Sequence, residues 1–217
     1  MKRNSKYGTA LVVGAAAAVV TMVFHPTGHQ LLQNAQRIAP VMATVHMLAI
    51  MGQSVVFFGT LGLTRVLSRD SEMPIGALVA YGFASMAVMC AAIASGFIGP
   101  ALAARLVGAA DMDRTFLLML FAYNGAVNQS FANVFVTASS VAIVLWSVAI
   151  IRTRILPRSA GAFGALVGAV TLGFQFSGNL PLDVYHFGAV AFAQSAWLGI
   201  VGALMIRGDR LESHPPI

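Results

Sequence analysis

The chain has 217 residues, of which 58% are hydrophobic and only 9% charged; its mean hydropathy is +0.81. A soluble domain carries roughly 25% charged residues to wet its surface, so a soluble globule is excluded and a single membrane domain, 1–217, is expected. The net charge of +6 does not imply nucleic acid, because the basic residues sit in short clusters between apolar runs. The lone Cys90 excludes an intramolecular disulfide and any CxxC redox or zinc site.

A membrane crossing needs about 20 largely apolar residues. Lys2, Arg3 and Lys6 precede an apolar run over 7–25, longer than the ~7–15 residues of a secretory signal core. It is read as an uncleaved first span, with a cleaved signal as the alternative. Pro26 ends it, since the residue before a proline is pushed out of helical geometry. The second span covers 39–64, with Pro40 near its start. The third covers 75–99, opened by Pro74. A proline costs little in a first turn, where its missing N–H has no partner to lose.

The segment 101–128 interrupts the pattern. Its polar Asp111-Met112-Asp113-Arg114 divides two apolar stretches, and a continuous helix from Arg114 to Ile151 would be roughly 57 Å long. A break near Asn124-Gly125 is therefore expected, with 101–124 lying on the outer face as a lid. A long, tilted fourth helix projecting outward is the alternative. The fourth span covers 129–151, the fifth 160–178 and the sixth 184–206, the last two joined by Ser177-Gly178-Asn179 and Pro181. The fold class is an all-α, polytopic bundle of six transmembrane helices.

With the N-terminus inside, ten basic residues fall on inner segments: Lys2, Arg3, Lys6, Arg65, Arg69, Arg152, Arg154, Arg158, Arg207 and Arg210. Only Arg37, Arg105 and Arg114 fall outside. Basic loops stay on the cytoplasmic side, so both termini are expected there, in a multi-pass protein of the bacterial inner membrane. An internal echo accompanies this map. Arg65-Val-Leu-Ser-Arg69 with Gly76-Ala-Leu-Val79 resembles Arg154-Ile-Leu-Pro-Arg158 with Gly164-Ala-Leu-Val167, which suggests a parallel repeat of helices 2–3 and 4–5. Glycines at 52, 59 and 62, and at 161, 164 and 168, would let helices approach closely. Trp146 and Tyr185 read as anchors at the two interfaces.

No stored catalytic motif is present: no GxSxG, phosphate loop, HExxH or dinucleotide fingerprint. None of the seven acidic residues falls inside a span, which counts against a proton-coupled transporter, since these use intramembrane carboxylates. Four of the five histidines map to the outer half, and His214 is in the C-terminal tail. His46 lies six residues past Pro40, about 9 Å inward, where its ring needs a polar partner such as Thr44 or Asn128. Imidazole is the commonest metal ligand and a usual haem ligand. The expectation is an outer cavity in which His25, His46 and His186 hold a metal ion or haem, with His29 and Asp183 at its rim. Asn124, Asn128 and Gln175 are its further polar lining. Met22, Met42 and Met47 lie nearby in sequence and would suit copper(I).

The competing reading of each interfacial histidine is a solvated side chain at a helix end. Competing functions are a permease without proton coupling, a membrane-embedded metal hydrolase, and a non-catalytic subunit of a membrane complex. The expected partner is the lipid bilayer, with a second copy or a complex subunit left open and nucleic acid excluded.

Overall fold

The structure is a computed structural model that describes residues 3–26, 34–68, 71–107, 109–180 and 182–213. His29, Arg69, Pro181 and His214 lie outside the described residues. Seven α-helices account for nearly all of the described chain: α1 Arg3–Val23, α2 Ala35–Leu67, α3 Met73–Ile93, α4 Gly99–Leu106, α5 Asp111–Thr153, α6 Arg158–Phe176 and α7 Val184–Ser213. A π-helical turn, Ala94–Ile98, joins α3 to α4, so that Met73–Leu106 forms one continuous rod. Six rods are long and apolar enough to cross a membrane.

Short connections make consecutive rods antiparallel. Each packs on its neighbour in the chain, and α7 packs back on α1, closing a ring in sequence order. One end of the ring carries Tyr7, Arg65, Arg152 and Arg158 and is called the arginine end. The other carries His25, His46 and the start of α7 and is called the histidine end. The seam between α1 and α7 is tight. A Cβ on Gly8 would sit 2.5 Å from the Gly202 carbonyl oxygen, and one on Gly202 2.6 Å from that of Gly8. Added carbons at Gly52, Gly59, Gly62, Gly161, Gly164 and Gly168 would likewise press on an adjoining helix.

The arginine end is filled by large side chains. Trp146 and Trp197 stack with ring centroids 6.4 Å apart, both fully buried with Leu11, Leu63, Leu67, Ile143 and Ile150. Trp146 donates to the Thr64 hydroxyl at 3.1 Å, and Trp197 to the Ala160 carbonyl at 3.0 Å. The expectation of Trp146 as an interfacial anchor is therefore corrected: its indole N–H finds a partner inside the ring, which removes the reason to reach water. Tyr185 is exposed at the opposite end.

Two further expectations are corrected. The helix α5 runs unbroken for 43 residues, about 64 Å, through the expected break at Asn124-Gly125. It contains no proline, and one interior glycine costs only about 1 kcal/mol relative to alanine. The segment 101–128 is thus a helical hairpin of α4 and the first turns of α5, and the unbroken fourth helix held as the alternative is the one found. The hairpin is held to α2 through Ile38, Met42, Ala103 and Phe121. Pro40 lies in the second turn of α2, which begins at Ala35. The echoing glycines also differ in surroundings: nothing lies within 4 Å of a Cβ built on Gly76, whereas one on Gly164 would collide with Trp197 and Ser147.

Candidate functional site

The π turn organises the histidine end. Pro100 has no N–H to offer the Gly96 carbonyl, and the Gly99 N–H reaches back five residues to the Ala94 carbonyl. Asn124 of α5 donates its amide to that same oxygen at 3.0 Å, tying the turn to the long helix. Turns of this kind recur at functional sites. Here the turn presents Gly96 to α2, and the missing side chain leaves room for the Cβ and ring of His46.

His46 is 3% exposed. Its Nδ1–H donates to the Met42 carbonyl at 2.7 Å. His25, two residues past the end of α1, donates its own Nδ1–H to the Pro26 carbonyl at 2.9 Å. A carbonyl can only accept, so both Nδ1 atoms carry their protons, and in the neutral rings both Nε2 atoms are bare. Those two Nε2 atoms face one another at 3.1 Å, with the rings edge-on, 4.8 Å between centroids. Burial holds His25 below the ordinary imidazole pKa, against the opposing pull of the Pro26 carbonyl.

The pair sits on the wall of a cavity of about 120 Å³, lined also by Thr21, Met22, Ser95, Asn128, Gln129 and Asp183. A second cavity of about 80 Å³ shares Thr21, Met22, Ala49, Val88 and Phe187 with the first and reaches Gln53. The Gln53 amide donates to the Ser85 hydroxyl at 2.8 Å. Past Gln53 the interior is occupied by the packed cluster around Leu11, Leu63, Trp146 and Trp197. Thr21 is 6% exposed, and its hydroxyl has no hydrogen-bond partner.

Of the expected ligands, the structure brings His25 and His46 together and leaves His186 apart. His186 is exposed and paired through Nδ1 with the Asp183 carboxylate at 2.8 Å. Asp183 also accepts the backbone N–H groups of Tyr185 at 3.0 Å and His186 at 2.8 Å, capping α7. Its pKa is lowered by the His186 backbone N–H first, then by the His186 side chain. Among the described residues no group of three or more His, Cys, Asp or Glu side chains is placed to hold a metal ion.

Asn128 lines the cavity. Asn124 holds the π turn, and Gln175 donates to Asn133 at 2.7 Å. Met22 lines the cavity, Met42 is buried against Ala103, and Met47 is exposed, so the methionines do not converge. Thr44 donates to the Pro40 carbonyl at 2.9 Å; the partners of His46 are Met42 and His25. Sequence reasoning missed Thr21 and the π turn. The signal for the turn was Gly99-Pro100 within an apolar run.

Fold and site define an all-helical ring of six membrane-length rods with a histidine pair, His46 buried and His25 partly so, beside a small cavity. No protein-family model, curated protein or solved structure matches the chain.

Proposed function

We propose that this is a multi-pass membrane protein, arginine end cytoplasmic, whose outward-facing cavity binds a single metal ion between His25 and His46. The observation that carries the reading is the pair of bare Nε2 atoms 3.1 Å apart. Two lone pairs repel at that distance unless a cation lies between or beside them, and the cation is a proton or a metal ion. Imidazoles whose Nδ1–H groups are anchored to carbonyls are oriented as metal ligands commonly are. Bonds of about 2.0–2.1 Å to each Nε2 would subtend an angle of about 100° at the metal, compatible with tetrahedral zinc. The remaining positions would open to water, Asn128 or Met22.

The cavity volume, about 120 Å³, lies well below the ~300–1,000 Å³ of typical ligand pockets and favours an ion over haem. The filled core beyond Gln53 favours binding over permeation. A hydrolase built on three histidines loses support from the position of His186.

The test is zinc or cobalt titration of detergent-purified protein by calorimetry, with elemental analysis. One ion per chain is expected. His25→Ala and His46→Ala should each remove most of the binding, and the double variant should lose little more, because the two ligands act as a unit. If wild type binds no metal, and the two substitutions only lower stability additively, the metal reading falls and a structural role replaces it.

A further inference from the structure

We infer that the two adjoining cavities, which share part of their lining, form one pocket for a small amphipathic aromatic molecule, such as a monocyclic phenol. Its oxygen head would sit at the histidine pair and Thr21, and its ring in the inner chamber. The inference extends the proposed cation site and rests on it for the polar end. Three observations carry it. First, the chambers are continuous in their walls, sharing Thr21, Met22, Ala49, Val88 and Phe187. At about 120 Å³ and about 80 Å³ each is smaller than a cavity of about 150 Å³ that takes up benzene, and only the two together exceed it.

Second, the polar groups gather at one end. The Thr21 hydroxyl, buried and unpaired, borders both chambers and is free to donate to an oxygen. A cation at His25 and His46 would attract a lone pair of the same atom. An unpaired hydroxyl at such depth costs about 1–3 kcal/mol, a penalty that a bound head group relieves.

Third, the inner wall suits an aromatic body. Phe135 and Phe187 present tilted rings with centroids 5.7 Å apart, and Met22 and Met89 add thioethers. Both kinds of group favour contact with a ring edge or face.

The experiment is equilibrium binding of p-cresol to the zinc-loaded, detergent-purified protein, with toluene as the headless control. One p-cresol per chain should bind, more tightly than toluene. Ala191→Leu fills the inner chamber only and should weaken p-cresol by about tenfold or more while zinc affinity stays unchanged. Thr21→Val keeps the shape of the residue and should bring p-cresol down to the level of toluene. Zinc binding without p-cresol binding overturns this inference and leaves the proposed function standing. Binding of p-cresol that depends on Ala191, in protein that takes no zinc, supports the pocket and removes the metal. Equal affinity for toluene and p-cresol in wild type means an apolar void open to any hydrocarbon, acyl chains included, and overturns the inference.

Discussion

The two ends of the ring use the same helices and much the same apolar composition to opposite effect. At the arginine end, Trp146, Trp197, Tyr81 and Tyr7 fill the space between helices, and the Tyr7 hydroxyl accepts a hydrogen bond from Arg65. At the histidine end the facing positions are Ala49, Ala91, Ala92 and Ala132, and α3 gives way to a π turn built on Gly96. Large rings close one end of the ring. Alanines and a glycine keep the other open, and the polar groups there, His25, His46 and Thr21, acquire a cavity. Side-chain size decides which end keeps a cavity inside the ring.

The comparison breaks most sharply at the paired glycines. Gly164→Leu should destabilise the protein by about 3 kcal/mol or more, at or beyond the upper end of overpacking costs, because the new side chain meets Trp197 and Ser147. Gly76→Leu places its side chain in open space and should leave the melting temperature unchanged or slightly raised, since leucine favours the helix. Thermal melts of both variants in detergent check this. Equal losses would mean that the two glycines share an environment, and the sequence echo would regain its structural meaning.

That contrast also explains what the sequence could and could not disclose. Six rods follow from runs of apolar length, and their ends from prolines and polar turns. Hydropathy carries no measure of side-chain volume, so it does not tell that Trp146 fills the interior where Ala132 leaves room. A break in α5 was expected because the helix is much longer than a membrane is thick, and the sequence does not show the Ala94 carbonyl that engages Asn124. His46 stood out as a polar ring below an interface. Its pairing with His25 and not His186 depends on the order of helices around the ring, with α2 packed on α1. No periodicity encodes that order.

A smaller effect is expected where α5 holds the open end in shape. Asn124→Ala removes one hydrogen bond to the Ala94 carbonyl, which keeps its bond from the Gly99 N–H. The loss should be about 1 kcal/mol, concentrated in faster hydrogen exchange of the amides from Ala94 to Gly99. Wild-type exchange in those amides would mean that Pro100 and the ring packing set the π turn unaided.

The smallest effect concerns Asp183, at the rim of the same cavity, where the open end meets solvent. Its carboxylate caps α7 through two backbone N–H groups and the His186 ring, and these partners hold its pKa below the ordinary 3.8. An acid whose folded pKa is depressed stabilises the fold at pH values above its ordinary pKa. That contribution fades as pH falls through the lower, folded value. Wild type should therefore melt above Asp183→Ala at about pH 5, and the margin should shrink below about pH 4. Because the carboxylate is exposed, water screens the interaction and the margin stays small. The arginine end has no part in this titration, so the double variant Asp183→Ala, Gly164→Leu should show the two losses added together. A margin that persists undiminished at the lowest pH would assign the capping to the shape of the residue and not to its charge.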